Sequence, residues 1–179
     1  MNLKGLPKSV RIVSCRKCMF LMNLDDLPNG VEKLDCSYCA SLRRLKGLPA
    51  SLKEINCSYT TGDALSALPN GVESVDCSGS SIKSLVLPAT TKRVKCSSCR
   101  SLTSLDGLPD GVKEIDCSRC QLLTDLEGLP KGIEKVNCSN CANLGSLKGL
   151  PDTAKELTCK DCPKLLGVNK LPKTIKVIR

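Results

Sequence analysis

A chain of 179 residues, 41% apolar and 25% charged with a formal net charge of +9, suffices for one domain or a short repeat array with a real core. It has no His and no Trp, so Ser–His–Asp and Cys–His nucleophiles and every imidazole zinc site are excluded. Fourteen Cys follow a start, MNLKGLPKSVRIV, that holds no secretory apolar run, which predicts free thiols in a reducing cytosol rather than a disulfide scaffold.

In chain order, a unit opens at each Leu-Pro: at Leu6, Leu27, Leu48, Leu68, Leu87, Leu108, Leu129 and Leu150, with a half unit from Leu171. Eight units of about 20 residues with no linker predict a single repeat domain over 1–179. Within a unit the spacing is V-x-x-I-x-C-x-x-C-x-x-L-x-x-L, as in Val112, Ile115, Cys117, Cys120, Leu123 and Leu126. Alternation near its first Cys predicts a short strand. The Leu-Pro-x-Gly step predicts a turn in which Pro fixes φ and the Gly takes φ > 0. One short strand and one return segment cannot bury an apolar side alone, but stacked copies can.

The runs VEKLDCSYCASL, VKEIDCSRCQLL and IEKVNCSNCANL resemble the leucine-rich-repeat family, and the short Leu-Pro units are most similar to its bacterial class, which includes effector proteins injected into host cells. The resemblance implies an α/β-type solenoid, a right-handed superhelix with a parallel sheet on its concave face and extended or 3₁₀ convex segments. It places the first Cys of each unit (Cys15, Cys36, Cys57, Cys77, Cys96, Cys117, Cys138, Cys159) at an inward strand position. The second (Cys18, Cys39, Cys99, Cys120, Cys141, Cys162) falls where the family has Asn or Cys. It further implies a non-catalytic module that binds a protein partner through the concave face, acting in the cytoplasm or in a host cytosol reached by a route other than Sec.

The first two units read C-x2-C-x17-C-x2-C, a zinc-ribbon spacing, and a Cys-ligated metal repeat is the alternative reading. The same spacing follows from any repeat of this length with two Cys, and Thr60 and Ser80 replace the second Cys without loss of the other core positions. The thiols are therefore expected to be packing, with no metal and no cofactor.

Three outward rows are expected on the concave sheet. The first runs Arg11, Glu32, Lys53, Glu73, Lys92, Lys113, Glu134, Lys155, Lys176, and the second Ile12, Lys33, Glu54, Ser74, Arg93, Glu114, Lys135, Glu156, Val177. The third runs Ser14, Asp35, Asn56, Asp76, Lys95, Asp116, Asn137, Thr158, Arg179. Signs mostly alternate, so no clustered cationic, aromatic groove for nucleic acid is expected. No apolar stretch nears the roughly 18 residues of a membrane span, and no membrane contact is expected.

Two places break the pattern and are the candidate partner-binding residues. The fifth unit presents Lys92, Arg93 and Lys95 with no acid of its own, next to Lys113, Asp116 and Arg119, either as a solvated strand partly neutralised by the flanking Glu73, Asp76, Glu114 and Asp116 or as a contact to an acidic partner. Tyr38 and Tyr59 occupy equivalent positions in consecutive units, either as interface anchors or as mutual cover over a gap left by shorter units. At the ends, Met19, Phe20 and Met22 are expected to help close the N-terminal core. The C-terminal TIKVIR is expected to be an open edge strand, guarded by Lys173, Lys176 and Arg179 and able to pair with a second copy.

Overall fold

A computed structural model describes residues 3–60 and 65–179. Nine strands, β1 Ile12–Ser14, β2 Lys33–Asp35, β3 Glu54–Asn56, β4 Ser74–Asp76, β5 Arg93–Lys95, β6 Glu114–Asp116, β7 Lys135–Asn137, β8 Glu156–Thr158 and β9 Lys176–Ile178, form one parallel sheet in chain order. The chain returns behind the sheet after each strand, so the whole is a β-solenoid. Among the described residues its helical part is reduced to 3₁₀ turns at Leu65–Ala67 and Val168–Lys170.

Each unit opens on a turn in which the N–H three residues on, such as that of Val31 or Val112, donates to the Pro carbonyl at 3.1 Å. The strand then begins with a bulge: one carbonyl, that of Arg11 for example, accepts from both Glu32 and Lys33 of the next unit. The bulge lets two successive residues face outward before Leu34 turns inward, which is the physical content of V-x-x-I-x-C. The core holds Val31, Leu34, Cys36, Leu42 and Leu45 and their equivalents, with Val10, Leu147, Leu165 and Val168 in the outer units only partly buried.

Glycine does its work elsewhere than expected. Gly30, Gly71, Gly111 and Gly132 after Leu-Pro are absent from the positive-φ positions. Five left-handed ones instead directly precede a Leu-Pro: Gly5, Gly47, Gly107, Gly128 and Gly149, at φ 76–91. Where that glycine is replaced by Ala67 or Lys170, the segment closes with a 3₁₀ turn instead. At the other site Ser51 and Thr90 can replace Gly because their hydroxyls donate to two carbonyls of the unit before.

The last strand is displaced by one residue from the expected rows. In β9, Lys176 lies opposite Glu156, Val177 opposite Leu157 and Ile178 opposite Thr158, so Val177 rather than Ile178 turns inward. The bulge is skipped: the Lys155 carbonyl accepts from Lys176 alone. With Val and Ile adjacent, either register buries an apolar residue. Charge selects between them, since the expected register sets Lys176 against Lys155, whereas the observed one pairs it with Glu156 at 3.0 Å.

Candidate functional site

The concave sheet forms an open groove of about 820 Å³ floored by the strand residues. Among the described residues six of the seven ion pairs lie along the sheet, each joining adjacent units: Arg11–Glu32, Lys92–Glu73 and Lys155–Glu134 in the first row, and Lys33–Glu54, Lys135–Glu114 and Lys176–Glu156 in the second. The Lys92 ammonium beside Glu73, and Lys155 beside Glu134, hold those carboxyls below the usual carboxylate range. These charges cross-link strands and are largely neutralised.

The third row is a local folding device that sequence reasoning missed. Asp35, Asn56, Asp76, Asp116 and Asn137 each accept, through Oδ1, the N–H of the Ser two residues on, at 2.9–3.1 Å. Such Asx turns lead the chain into the next residue, which is left-handed in every full unit: Lys17, Tyr38, Tyr59, Gly79, Ser98, Arg119, Asn140 and Asp161, at φ 51–68. The recurrent D/N-C-S triplet was the available signal. Asp116 is thus engaged by Ser118, and also accepts from Asn137 Nδ2 at 3.2 Å.

Against this background β5 stands out. Lys95 occupies an Asx-turn position without supplying the turn, between Asp76 and Asp116. Arg93 lies between Ser74 and Glu114. Both are exposed, and among the described residues neither is within an ion pair. Lys92, grouped with them from sequence, is instead tied to Glu73 at 3.0 Å, and Lys113 Nζ donates to the Gly132 carbonyl at 3.1 Å. The structure therefore brings Arg93 and Lys95 together as available cations and commits Lys92, Lys113 and Asp116 to the scaffold.

Arg119, Tyr38 and Tyr59 sit at the corner beyond the strands, not on the concave floor. The Tyr rings stack with centroids 4.6 Å apart and an 11° interplanar angle, and the Arg16 guanidinium carbon lies 5.3 Å from the Tyr38 centroid. The Tyr59 ring covers the space where Gly79 lacks a Cβ. Glycine in the fourth unit thus permits the stack, and the rings do cover a gap while remaining 37% and 45% exposed.

The thiols fill two interior columns, and all fourteen are free. First-column S–H groups reach forward to the next strand's carbonyl, as Cys36 to Asn56 and Cys117 to Asn137 at 3.4 Å. Second-column thiols reach back: Cys39 donates to the Cys15 carbonyl, Cys120 to that of Cys96 and Cys162 to that of Cys138, each at 3.1 Å. The thiol therefore supplies the backbone contact that Asn gives in the resembling family. Thr60 and Ser80 do so within their own unit, at 2.8 and 2.5 Å. Among the described residues no three Cys, Asp or Glu are grouped as metal ligands.

Burial pushes Cys57 up to about 12, and Cys15 and Cys141 likewise, in keeping with a thiolate's poor solvation in an apolar interior. Cys99 differs: the Cys77 thiol beside it draws it down to about 7, aided by the Ser80 hydroxyl and nearby N–H groups. Only Cys18 and Cys162, in the first and last full units, are partly exposed. Brief iodoacetamide treatment of the native protein is expected to add two carbamidomethyl groups by intact mass, and fourteen after denaturation. Extensive native labelling would mean that the columns are open.

No protein-family model matches the chain, and no curated protein matches it by sequence. Among solved structures, YopM from Yersinia enterocolitica superposes with a TM-score of 0.64 at 23% identity, over 99% of this chain and 43% of that one. A leucine-rich-repeat protein from Bacteroides ovatus gives 0.56 at 21% identity, over 97% of this chain and 55% of that one. The fold is that of a leucine-rich-repeat solenoid. This chain spans about half the length of either solved chain.

Proposed function

We propose that this leucine-rich-repeat solenoid is a non-catalytic module that binds an acidic segment of a protein partner along the concave groove. The observation that carries this reading is β5. Lys95 stands where five other units have the Asp or Asn of an Asx turn, and Arg93 and Lys95 are outside the cross-strand ion pairs found among the described residues. Residues that contribute little to the scaffold yet stand exposed in the middle of the groove fit a role in recognition. Neighbouring pairs such as Lys92–Glu73 and Lys135–Glu114 fix the floor on which they stand.

The leucine-rich-repeat neighbours, one of them YopM, support a protein-interaction role at the level of the fold. With the sequence likeness to bacterial repeats found in injected proteins, they favour a host protein as partner, met in the cytoplasm or in a host cytosol. Peptides selected on the immobilised protein are expected to be rich in Asp and Glu. Their affinity should fall at least tenfold for R93E/K95E, the scale of losing close charge pairs in a complex. Equal affinity for both proteins would remove the site.

A further inference from the structure

Phe20, the only phenylalanine of the chain, is 76% exposed, with Met22 at 70% and Met19 at 51% beside it. They do not close the N-terminal core: Leu21 and Leu24 take the inward positions, and the other three project from the outer edge of the first return segment. Among the described residues later units carry at most a single exposed large apolar residue in the return segment, Val86 in the fourth, Leu122 in the sixth and Leu166 in the eighth. Isolated exposures of that kind are ordinary, whereas a cluster of three marks a contact surface.

The surroundings of the cluster are cationic. The second return segment sets Arg43, Arg44 and Lys46 on one wall of a recess of about 470 Å³, with Met22 and Asp25 on the other. Arg16 and Lys17 stand in the first unit's corner, just before Met19. Among the described residues none of these five cations is in an ion pair, whereas Arg11, Lys33, Lys92, Lys135, Lys155 and Lys176 of the concave sheet each are.

We propose that this end of the solenoid docks on an anionic lipid bilayer, with Phe20 and Met22 entering the headgroup layer and Arg16, Lys17, Arg43, Arg44 and Lys46 facing the lipid phosphates and carboxylates. Met19 and Phe20 protrude and the exposed Met22 borders the cationic recess, so the surface suits a deformable anionic partner more than a rigid one. Apolar insertion combined with surrounding basic charge is the physics of interfacial attachment. Such attachment needs no membrane span, and among the described residues no helix is long and apolar enough to provide one. The absence of a span therefore does not argue against it.

The chain contains no Trp, so Phe20→Trp provides a single fluorescent reporter at the contact, and Leu166→Trp, a position 76% exposed in the eighth unit, provides a matched control. Phosphatidylserine-containing vesicles are expected to blue-shift the emission of F20W but not of L166W, while phosphatidylcholine vesicles shift neither. Adding R43E/R44E to F20W should weaken vesicle binding about tenfold or more, with an unchanged circular dichroism spectrum. No shift with anionic vesicles, or equal shifts at both reporters, would overturn the proposal. A shift of F20W with polyglutamate in place of vesicles would also overturn it and assign the surface to an acidic polypeptide.

Discussion

Raising the pH of reduced protein from 8 to 11 is expected to unfold it cooperatively, well before lysine titration dominates. Burial first, then neighbouring thiols and carboxylates, push the thiols of Cys57 and Cys117 far up, and Cys77 and Cys96 rise first through the thiol each contacts, Cys99 and Cys120, and then through burial. A group whose folded pKa is raised stabilises fully below its unfolded value, here about 9. That contribution is lost as the pH climbs toward the folded value, because only the unfolded chain can ionise it. Each such thiol costs about 1.4 kcal/mol per pH unit above 9. Cys57 and Cys117 with Cys36 and Cys138, all raised first by burial, remove on the order of 5 kcal/mol by pH 10, comparable to the whole stability of an ordinary domain at about 5–15 kcal/mol.

Cys99, drawn down to about 7, acts in the opposite sense: its contribution is present above the unfolded value and fades as the pH falls through 7. One such thiol does not offset the rest. The measurement is far-ultraviolet circular dichroism against pH in the presence of a reductant, repeated on a Cys15, Cys57, Cys141→Ala variant, whose alkaline midpoint should move upward. A fold that persists to pH 11 would mean that the thiols are solvated and the two columns are not a sealed interior.

Much of the fold can be read from the repeat, because V-x-x-I-x-C states which residues of a bulged strand face inward, and one unit's pattern constrains all the others. The sheet, its order and both thiol columns follow from that. The C-terminal register does not: Val177 and Ile178 are interchangeable as apolar residues, and the choice rests on whether Lys176 meets Lys155 or Glu156 across a strand gap. Nor does the fate of Met19, Phe20 and Met22, where apolar character alone suggested burial although Leu21 and Leu24 already filled the spacing. At the candidate site, the excess charge of β5 was visible, but the pairing of Lys92 with Glu73 needed coordinates. Tyr38, Tyr59 and Arg119 shared a column in the sequence. That the column is left-handed, and lies at a corner away from the groove, was written only in the preceding D/N-C-S.

The glycine that precedes five of the Leu-Pro steps gives the second large expected effect. Gly149 has φ 91, and a Cβ added to it would collide with the Leu126 carbonyl and lie 2.5 Å from the Glu127 nitrogen. These are main-chain atoms of the unit beneath, fixed by the stacking, and cannot move aside as a flexible side chain would. Gly149→Ala therefore combines left-handed strain with a forced separation of two units, and a loss of roughly 2–4 kcal/mol is expected. Gly167, at φ 82, has nothing within 4 Å of the place a methyl group would take, so Gly167→Ala bears only the conformational part, about 1 kcal/mol. Urea unfolding of the two variants separates the terms, since the backbone handedness is the same in both. Equal destabilisation would show that the units do not approach closely at Gly149. The larger loss at Gly149 would identify the glycine column as what sets the distance between units on the outer edge of the solenoid, as the bulged strands set it on the inner one.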